Sequence, residues 1–372
     1  MSPYAVVIGG GGIAGVEGLL RLRRLTGDQL EVTLVCPVDE LVYRALAVLE
    51  PFDLGGVRRY PMERISADTG ARWIKDTVGW VDRDGHTVHT GAGQSLPYDA
   101  LLLAIGGQRR TRLKYADVFT ADPANPTFRD LLRDVEDGAV DNLAFVLPEG
   151  RSWPLPLYEL ALLTAQRAHD HNQHPDLAFI TPEPRPLYPF GGPAGAAVAD
   201  LLRTAEITLH SGCTVQVTGP RQLTLQPSGQ QLSTQRVVTI PTITGPNVRG
   251  IPGDAVNRFL PVDDHCRVLG TDGRIFAAGD ATNLPVKHGG VSAQQADTAA
   301  AGIAHLAGLG PAPSALHPVI RGTLLTGGKP LYLSAHLIAG QGWQAEIYET
   351  APWPVEDKII AEELSRYLDQ LG

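Results

Sequence analysis

The sequence predicts an α/β fold made of two βαβ units and a small C-terminal region. Tyr4-Ala5-Val6-Val7-Ile8, a β-branched apolar run of the kind a buried parallel strand shows, leads straight into the glycines Gly9–Gly12 and Gly15. A second strand–helix–strand pattern lies between Leu143 and Thr181. At roughly 150 residues per domain, 372 residues make two or three domains. With 43% hydrophobic and 19% charged residues, the chain has enough apolar surface to bury real cores. Its 41 glycines and 29 prolines make it loop-rich yet short of the roughly 25–30% of a low-complexity chain.

Each element follows from local pattern. Val16 to Leu25 has apolar residues at helical spacing, and Gly27-Asp28 stops it. Leu30-Glu31-Val32-Thr33-Leu34-Val35 is the second strand, so a complete βαβ unit fits in about 30 residues. Ala71–Val81 and Thr87–Leu103, the latter turning at Gly91-Ala92-Gly93, read as β-meander pieces. Tyr98–Gly106 holds a buried strand ending in glycine, and the charges from Asp130 to Asp141 read as a solvated helix face. Leu143–Leu147, Tyr158–Ala168 and Asp176–Thr181 form the second unit, followed by a helix over Gly195–Leu202. Val215–Ile240 reads as three strands divided by Gly219-Pro220 and Pro227-Ser228-Gly229. Arg274–Asp280 is a strand ending in Gly-Asp, and an alanine-rich helix, Ser292–Leu306, follows Gly289-Gly290. From about Gly322 come strand-like segments and an amphipathic helix, Glu356–Leu371. The expected division is a first domain in two parts (1–113 and 245–320), an inserted domain (114–244) and a C-terminal interface region (321–372).

Charge and composition exclude several classes. The net charge is −9, and no basic cluster exceeds Arg109-Arg110-Thr111-Arg112, so a nucleic-acid partner is not expected. No apolar run reaches the roughly 18 residues of a membrane span. The start of the chain shows no signal-type segment, and Cys36, Cys213 and Cys266 are few and far apart. A cytoplasmic location is the expectation.

Gly10, Gly12 and Gly15 form G-x-G-x-x-G with a strand before and a helix after, the context that gives the pattern meaning. This is the mark of a Rossmann-like dinucleotide-binding domain: a tight turn, backbone open to a pyrophosphate, and close helix–strand packing at the helix N-terminus. An acidic ribose ligand is expected about 20 residues on. Cys36 stands there instead, leaving Asp39, Glu40 or backbone and water to hold the ribose.

At this point the chain resembles the two-dinucleotide-binding-domain flavoproteins, the pyridine nucleotide-disulfide oxidoreductase superfamily. Three motifs in order carry the likeness: Gly10–Gly15, Tyr98–Gly106 with Ala104-Ile105-Gly106, and Arg274–Asp280. The resemblance implies a glutathione-reductase-like arrangement of two Rossmann-like domains and an FAD cofactor. It implies cofactor contacts at Gly10, Gly12, Ile13, Ala14, Gly15, Cys36, Arg44, Val78, Ile105, Gly106, Gly279, Asp280 and Gly290. In that family the Gly-Asp aspartate, here Asp280, bonds the ribityl chain, and the helix after Gly289-Gly290 points its positive end at the flavin pyrimidine edge.

The stretches Leu41-Val42-Tyr43-Arg44 to Pro51-Phe52 and Lys287-His288-Gly289-Gly290 look more like the branch of sulfide:quinone oxidoreductase, flavocytochrome c sulfide dehydrogenase and type II NADH dehydrogenase. The redox C-x-x-x-x-C and C-x-x-C pairs of the disulfide reductases are missing. Cys213 and Cys266 do not fall at the positions of the sulfide:quinone oxidoreductase cysteines, and packing is the expectation for both. Leu147-Pro148-Glu149-Gly150-Arg151-Ser152-Trp153-Pro154-Leu155-Pro156-Leu157 occupies the place of a second glycine loop. Proline has no N–H to offer a pyrophosphate, so standard NAD(P)H binding is not expected there. Glu183, at the end of the next strand, is the one feature in favour.

Lys287 and His288 are the catalytic candidates, the first as a cation beside reduced flavin and the second as a proton carrier near neutral pH. A surface lysine and a turn histidine are the alternatives. Tyr43, Arg44, Trp153 and Tyr158 either face the flavin or pack the core. The expected function is an FAD-dependent oxidoreductase moving electrons from a small-molecule donor other than NAD(P)H to a quinone, a redox protein or oxygen. The rivals are an NAD(P)H:acceptor oxidoreductase with an atypical nicotinamide site and a flavin-binding regulatory protein. The acidic polar face of the last helix (Glu356, Asp357, Glu362, Glu363, Asp369) argues against stable membrane insertion and leaves a homodimer contact as the role of the C-terminal region.

Overall fold

The computed structural model describes residues 3–122, 126–338, 341–353 and 358–371. Two all-parallel five-stranded sheets organise it. The first runs Ile275–Ala277, Ala100–Leu103, Tyr4–Gly9, Leu30–Val35, Arg72–Ile74 in spatial order. The second runs Asp117–Val118, Arg236–Thr239, Asn142–Val146, Asp176–Thr181, Ile207–Ser211. The first sheet takes its last strand from far along the chain. Gln108–Arg110 and Thr242–Thr244, paired antiparallel, carry the chain out to the second sheet and back.

The glycine-loop helix spans Ile13–Thr26, starting immediately after Gly12. It lies against the long helix Gly289–Leu306, and small residues permit the close approach: a Cβ on Gly18 would stand 3.7 Å from the Ala296 Cβ. Val16, Leu19, Leu22, Ala296, Ala300 and Ile303 are all fully buried between the layers. The helix Thr127–Glu136 buries Phe128, Leu131, Leu132 and Val135 and turns its charges outward, which is the solvated face the sequence implies.

Three boundaries differ from the sequence expectation. Arg72–Ile74 joins the parallel sheet, and only Val78–Asp82, Thr87–Thr90 and Ser95–Pro97 form the meander. Alternation alone does not tell a sheet's edge strand from a hairpin strand. Thr214 to Thr239 makes four strands, not three, because the short Gln231–Ser233 pairs back onto Gln222–Gln226 before Arg236–Thr239 enters the parallel sheet. The final helix begins at Glu362; Glu356 and Asp357 lie outside the described residues.

The C-terminal region straddles both domains. Its antiparallel sheet (Val319–Leu324, Leu331–Ile338, Gln341–Tyr348) buries Ile320, Leu324, Leu333 and Ala335 in the inserted domain's core. The final helix, Glu362–Leu371, seats Leu364 and Leu368 in the first domain's core. Each of those leucines is worth about 1.5–3 kcal/mol of burial. No described helix is long and apolar enough to cross a membrane.

Candidate cofactor and redox site

The three sequence motifs converge at the C-terminal edge of the first sheet. A Cβ on Gly10, where φ is +112°, would stand 2.1 Å from the Ala104 carbonyl oxygen; one on Gly15 would stand 1.8 Å from the Gly10 oxygen. Both positions therefore need glycine to bring loop, strand and helix together. Gly12 differs: a Cβ there meets nothing within 4 Å. It is the open face of the loop, at the helix N-terminus, where an anion gains from free N–H groups and the dipole. Gly279 closes the arrangement, since its Cβ would lie 3.2 Å from that of Ala14 and 3.5 Å from Ser292 Oγ.

A cleft of about 400 Å³ opens beside this loop, lined by Gly10, Gly12, Arg44, Val78, Ile105 and Gly106 among others. Glu40, which the sequence left as an alternative, also lines it. Cys36 does not. Its side chain is fully buried, and a Cβ on Gly11 would meet its Sγ at 2.8 Å, so the thiol packs under the loop instead of facing the cleft. Burial raises its pKa. Asp39 is drawn outward by Lys75 at 2.7 Å. Arg44 has its pKa lowered, by burial first and then by the neighbouring Arg109 and Arg59, as expected of cations gathered at one mouth.

At the Gly-Asp turn, the Asp280 carboxylate has its pKa raised by burial, with Lys287 and Arg109 pulling the other way. Among the described residues no hydrogen bond to its carboxylate is seen, so it is a half-buried acceptor suited to a ligand hydroxyl. With the open Gly12, the helix terminus and the cleft, these residues fit a dinucleotide cofactor. The Lys287 ammonium points into the turn. It donates to the carbonyls of Thr282 (2.6 Å) and Asp280 (3.2 Å) and sits 4.0 Å from the centre of the Phe259 ring. Burial pushes its pKa down to about 7. Its role in the structure is to brace the segment that carries Asp280.

His288 is the N-cap of the long helix, its Nδ1 accepting from the Val291 N–H at 3.4 Å, and Gly290 follows in the first turn. Its ring lies 4.6 Å from that of Trp153. Burial pushes its pKa down to about 4, so it is neutral at pH 7. Burial thus moves it away from the neutral range of a free imidazole.

The inserted domain's loop is closed. Trp153 contacts His288 and packs 5.8 Å from Phe190, and Arg151 donates to the Asn283 carbonyl and stacks on Phe259. Glu183 turns inward, accepting from Tyr158 Oη (2.7 Å), Thr181 Oγ1 (3.2 Å) and the Tyr188 N–H (2.9 Å). Tyr158 is stacked on Phe179 at 4.0 Å and packs the core. Tyr43 is likewise buried, under the Arg58 guanidinium. The three cysteines are free, and burial pushes the Cys266 thiol up to about 12.

The sequence reading missed the role of Glu17, a carboxylate on the buried face of the glycine-loop helix. Its place beside Val16 and Leu19 in an apolar stripe was the available signal.

No family model matches the chain. A stretch of 106 residues is 26% identical to the mitochondrial sulfide:quinone oxidoreductase of Mus musculus, covering 28% of this chain and 23% of the mouse protein's length. Among solved structures, the sulfide:quinone oxidoreductase of Aquifex aeolicus superposes with a TM-score of 0.82 at 18% identity, over 99% of this chain and 89% of that one. A ferredoxin reductase from Rhodopseudomonas palustris gives 0.66 at 20% identity, over 89% and 82%. The fold is that of the two-dinucleotide-binding-domain flavoproteins. At 18% and 20% identity, the likeness to these solved structures is one of fold.

Proposed function

We propose that the protein is an FAD-dependent oxidoreductase that takes electrons from a small-molecule donor other than NAD(P)H and passes them to a quinone, a redox protein or oxygen. The carrying observation is the closed loop of the inserted domain. The carboxylate at the end of its second strand is spent on Tyr158, Thr181 and Tyr188, and Trp153 of the loop lies against His288. A nicotinamide dinucleotide has neither a glycine turn nor a free ribose ligand to bind there.

Bound FAD supplies the two-electron chemistry. Gly10, Gly12 and Gly15 with the first turn of helix Ile13–Thr26 would hold its phosphates, Glu40 would meet a ribose hydroxyl, and Asp280 would take a hydroxyl on the chain toward the flavin. Lys287 keeps Asp280 in position through the carbonyls of its turn. Neutral His288 fixes the start of the long helix, whose dipole would favour negative charge on a flavin held before it.

The neighbours' substrates, quinone or a redox protein, support this choice of acceptor class. A cytoplasmic location rests on the free cysteines. A second copy docking on the C-terminal hairpin, where Ile338 and Trp343 are 61% and 63% exposed, is the proposed dimer contact, read out by light scattering.

The test is an anaerobic titration that follows the flavin bands while NADH, NADPH and then sulfide are added. The expected outcome is no bleaching by either nicotinamide. Bleaching by one of them within the turnover times of ordinary enzymes, about 1–1000 per second, overturns the reading.

A further inference from the structure

The turn that carries Asp280 is held by side chains from two sides. Gly279 is buried in it at φ +79°, in the left-handed region that glycine favours. Both of its backbone polar groups are engaged. Its N–H donates to Gln295 Oε1 at 3.0 Å, and its carbonyl accepts from Thr282 Oγ1 at 2.9 Å and from the Thr282 N–H at 3.0 Å. Gln295 Nε2 donates to the same Thr282 Oγ1 at 3.0 Å. A hydroxyl has a single proton to give. That of Thr282 lies 2.9 Å from the Gly279 oxygen and 3.4 Å from Gln295 Oε1, so the shorter bond takes it. A closed ring results, from the Gly279 N–H to the amide oxygen, from the amide N–H to the hydroxyl, and from the hydroxyl back to the Gly279 carbonyl.

Gln295 comes from the second turn of helix Gly289–Leu306 and is 1% exposed; Thr282 is fully buried. Its neighbours along the buried face are Val291, Ser292 and Ala299. A glutamine in such a layer costs desolvation and side-chain entropy, which its hydrogen bonds to the turn offset. The residue before it makes the contrast. Gln294 Oε1 accepts the Val319 N–H at 2.9 Å, and its Nε2 donates to the carbonyls of Val319 (2.8 Å) and Gly290 (3.0 Å). That amide ties the helix to the C-terminal sheet and not to the Gly-Asp turn.

Lys287 closes the turn's other side through the carbonyls of Asp280 and Thr282. The Asp280 carboxylate has no such brace of its own, so the turn beneath it sets where it points.

We propose that Gln295 is a positioning residue for the cofactor. Its ring of hydrogen bonds with Gly279 and Thr282 fixes the turn so that the Asp280 carboxylate is already oriented when a hydroxyl of the flavin dinucleotide arrives. This rests on the FAD reading of the cleft; the identity of the electron donor plays no part in it. Ordering one side chain before binding instead of during it is worth about two- to tenfold in affinity.

A double-mutant cycle, read by titrating FAD into apoprotein, tests this. Gln295→Met keeps the length of the side chain and removes its hydrogen bonds, and the Kd for FAD is expected to rise about five- to tenfold. In an Asp280→Ala background the same substitution is expected to change Kd by less than about twofold, because the group it positions is gone. A residue that only supports the fold weakens binding equally in both backgrounds, and that result overturns the proposal. So does an unchanged Kd in Gln295→Met. Gln294→Met is the control on the same helix: a loss as large there, and as dependent on Asp280, would mean that any loosening of the helix acts this way, which also overturns the assignment. If Gln295→Met does not fold, Thr282→Val breaks the ring at its hydroxyl and keeps the carbonyl that Lys287 holds, and the same two backgrounds decide. Wild-type apoprotein that binds no FAD removes the cofactor reading and this assignment with it. Wild-type binding with a failed cycle removes the assignment alone.

Discussion

The two kinds of glycine in the loop make opposite predictions. At Gly15 an added Cβ would stand 1.8 Å from a backbone oxygen, well inside any tolerated contact, and only backbone movement relieves it. Overpacking of that kind costs about 3 kcal/mol, at the high end of its range. Alanine's better helix propensity returns about 1 kcal/mol, leaving about 2 kcal/mol and a fall in Tm of about 4–8 °C for a domain of this size. At Gly12 the Cβ meets nothing, and threonine is about as good an N-cap as glycine. Gly12→Thr is therefore expected to keep the apoprotein Tm, while its side chain occupies the pyrophosphate's approach and lowers flavin affinity at least tenfold, a loss of about 1.4 kcal/mol or more. The assays are thermal unfolding of apoprotein and flavin-binding titration for each variant. Full flavin affinity in Gly12→Thr would show that the phosphates do not come to this loop. An unchanged Tm in Gly15→Ala would refute the packing argument.

Three further outcomes are expected. The folded-state pKa of Lys287 is depressed to about 7 from 10.5. Folded and unfolded chains both hold its proton below about 7, and the unfolded chain holds more between there and 10.5, so this residue makes stability rise with pH across that window. Lys287→Met is expected to remove that slope, and urea unfolding of apoprotein at the two ends of the accessible range checks it: a wild-type-minus-variant difference that does not move with pH is the failing result. His288→Asn keeps a capping side chain, so stability is expected to hold within about 1 kcal/mol; an inflection near neutral pH in flavin reduction that this variant abolishes would restore the proton-carrier role. Glu183→Ala strands the Tyr158 hydroxyl and is expected to cost about 1–3 kcal/mol in chemical denaturation, with no effect on the response to NADH; a specific loss of NADH reduction in a stable variant would make Glu183 a ribose ligand.

Much of the cofactor half was legible in the chain. Gly10, Gly12 and Gly15 are read by spacing, and each does its work within a few residues, through a turn, a helix start and a strand end. The Ala104-Ile105-Gly106 and Gly279-Asp280 turns are equally local; the first lines the cleft with the glycine loop, and Gly279 packs against Ala14 at the start of the loop's helix. The candidate redox residues were not legible in the same way. Lys287 and His288 stand where a flavin neighbour is expected, yet the structure directs one into a turn and makes the other a cap.

Local signals therefore determined the two βαβ units, the glycine loop and the Gly-Asp turn, because hydrogen bonds and steric limits within one turn or strand leave few alternatives. Tertiary structure alone decided which ionisable groups are buried and against what. Glu183 reads as a ribose ligand until Tyr158 closes on it from a helix 25 residues away. Cys36 reads as a ribose-position residue until Met62 and Gly11 enclose its sulfur. Glu17 becomes a cap only because a helix 346 residues later in the chain begins there. Burial is a property of what packs from elsewhere, and no window of sequence contains it.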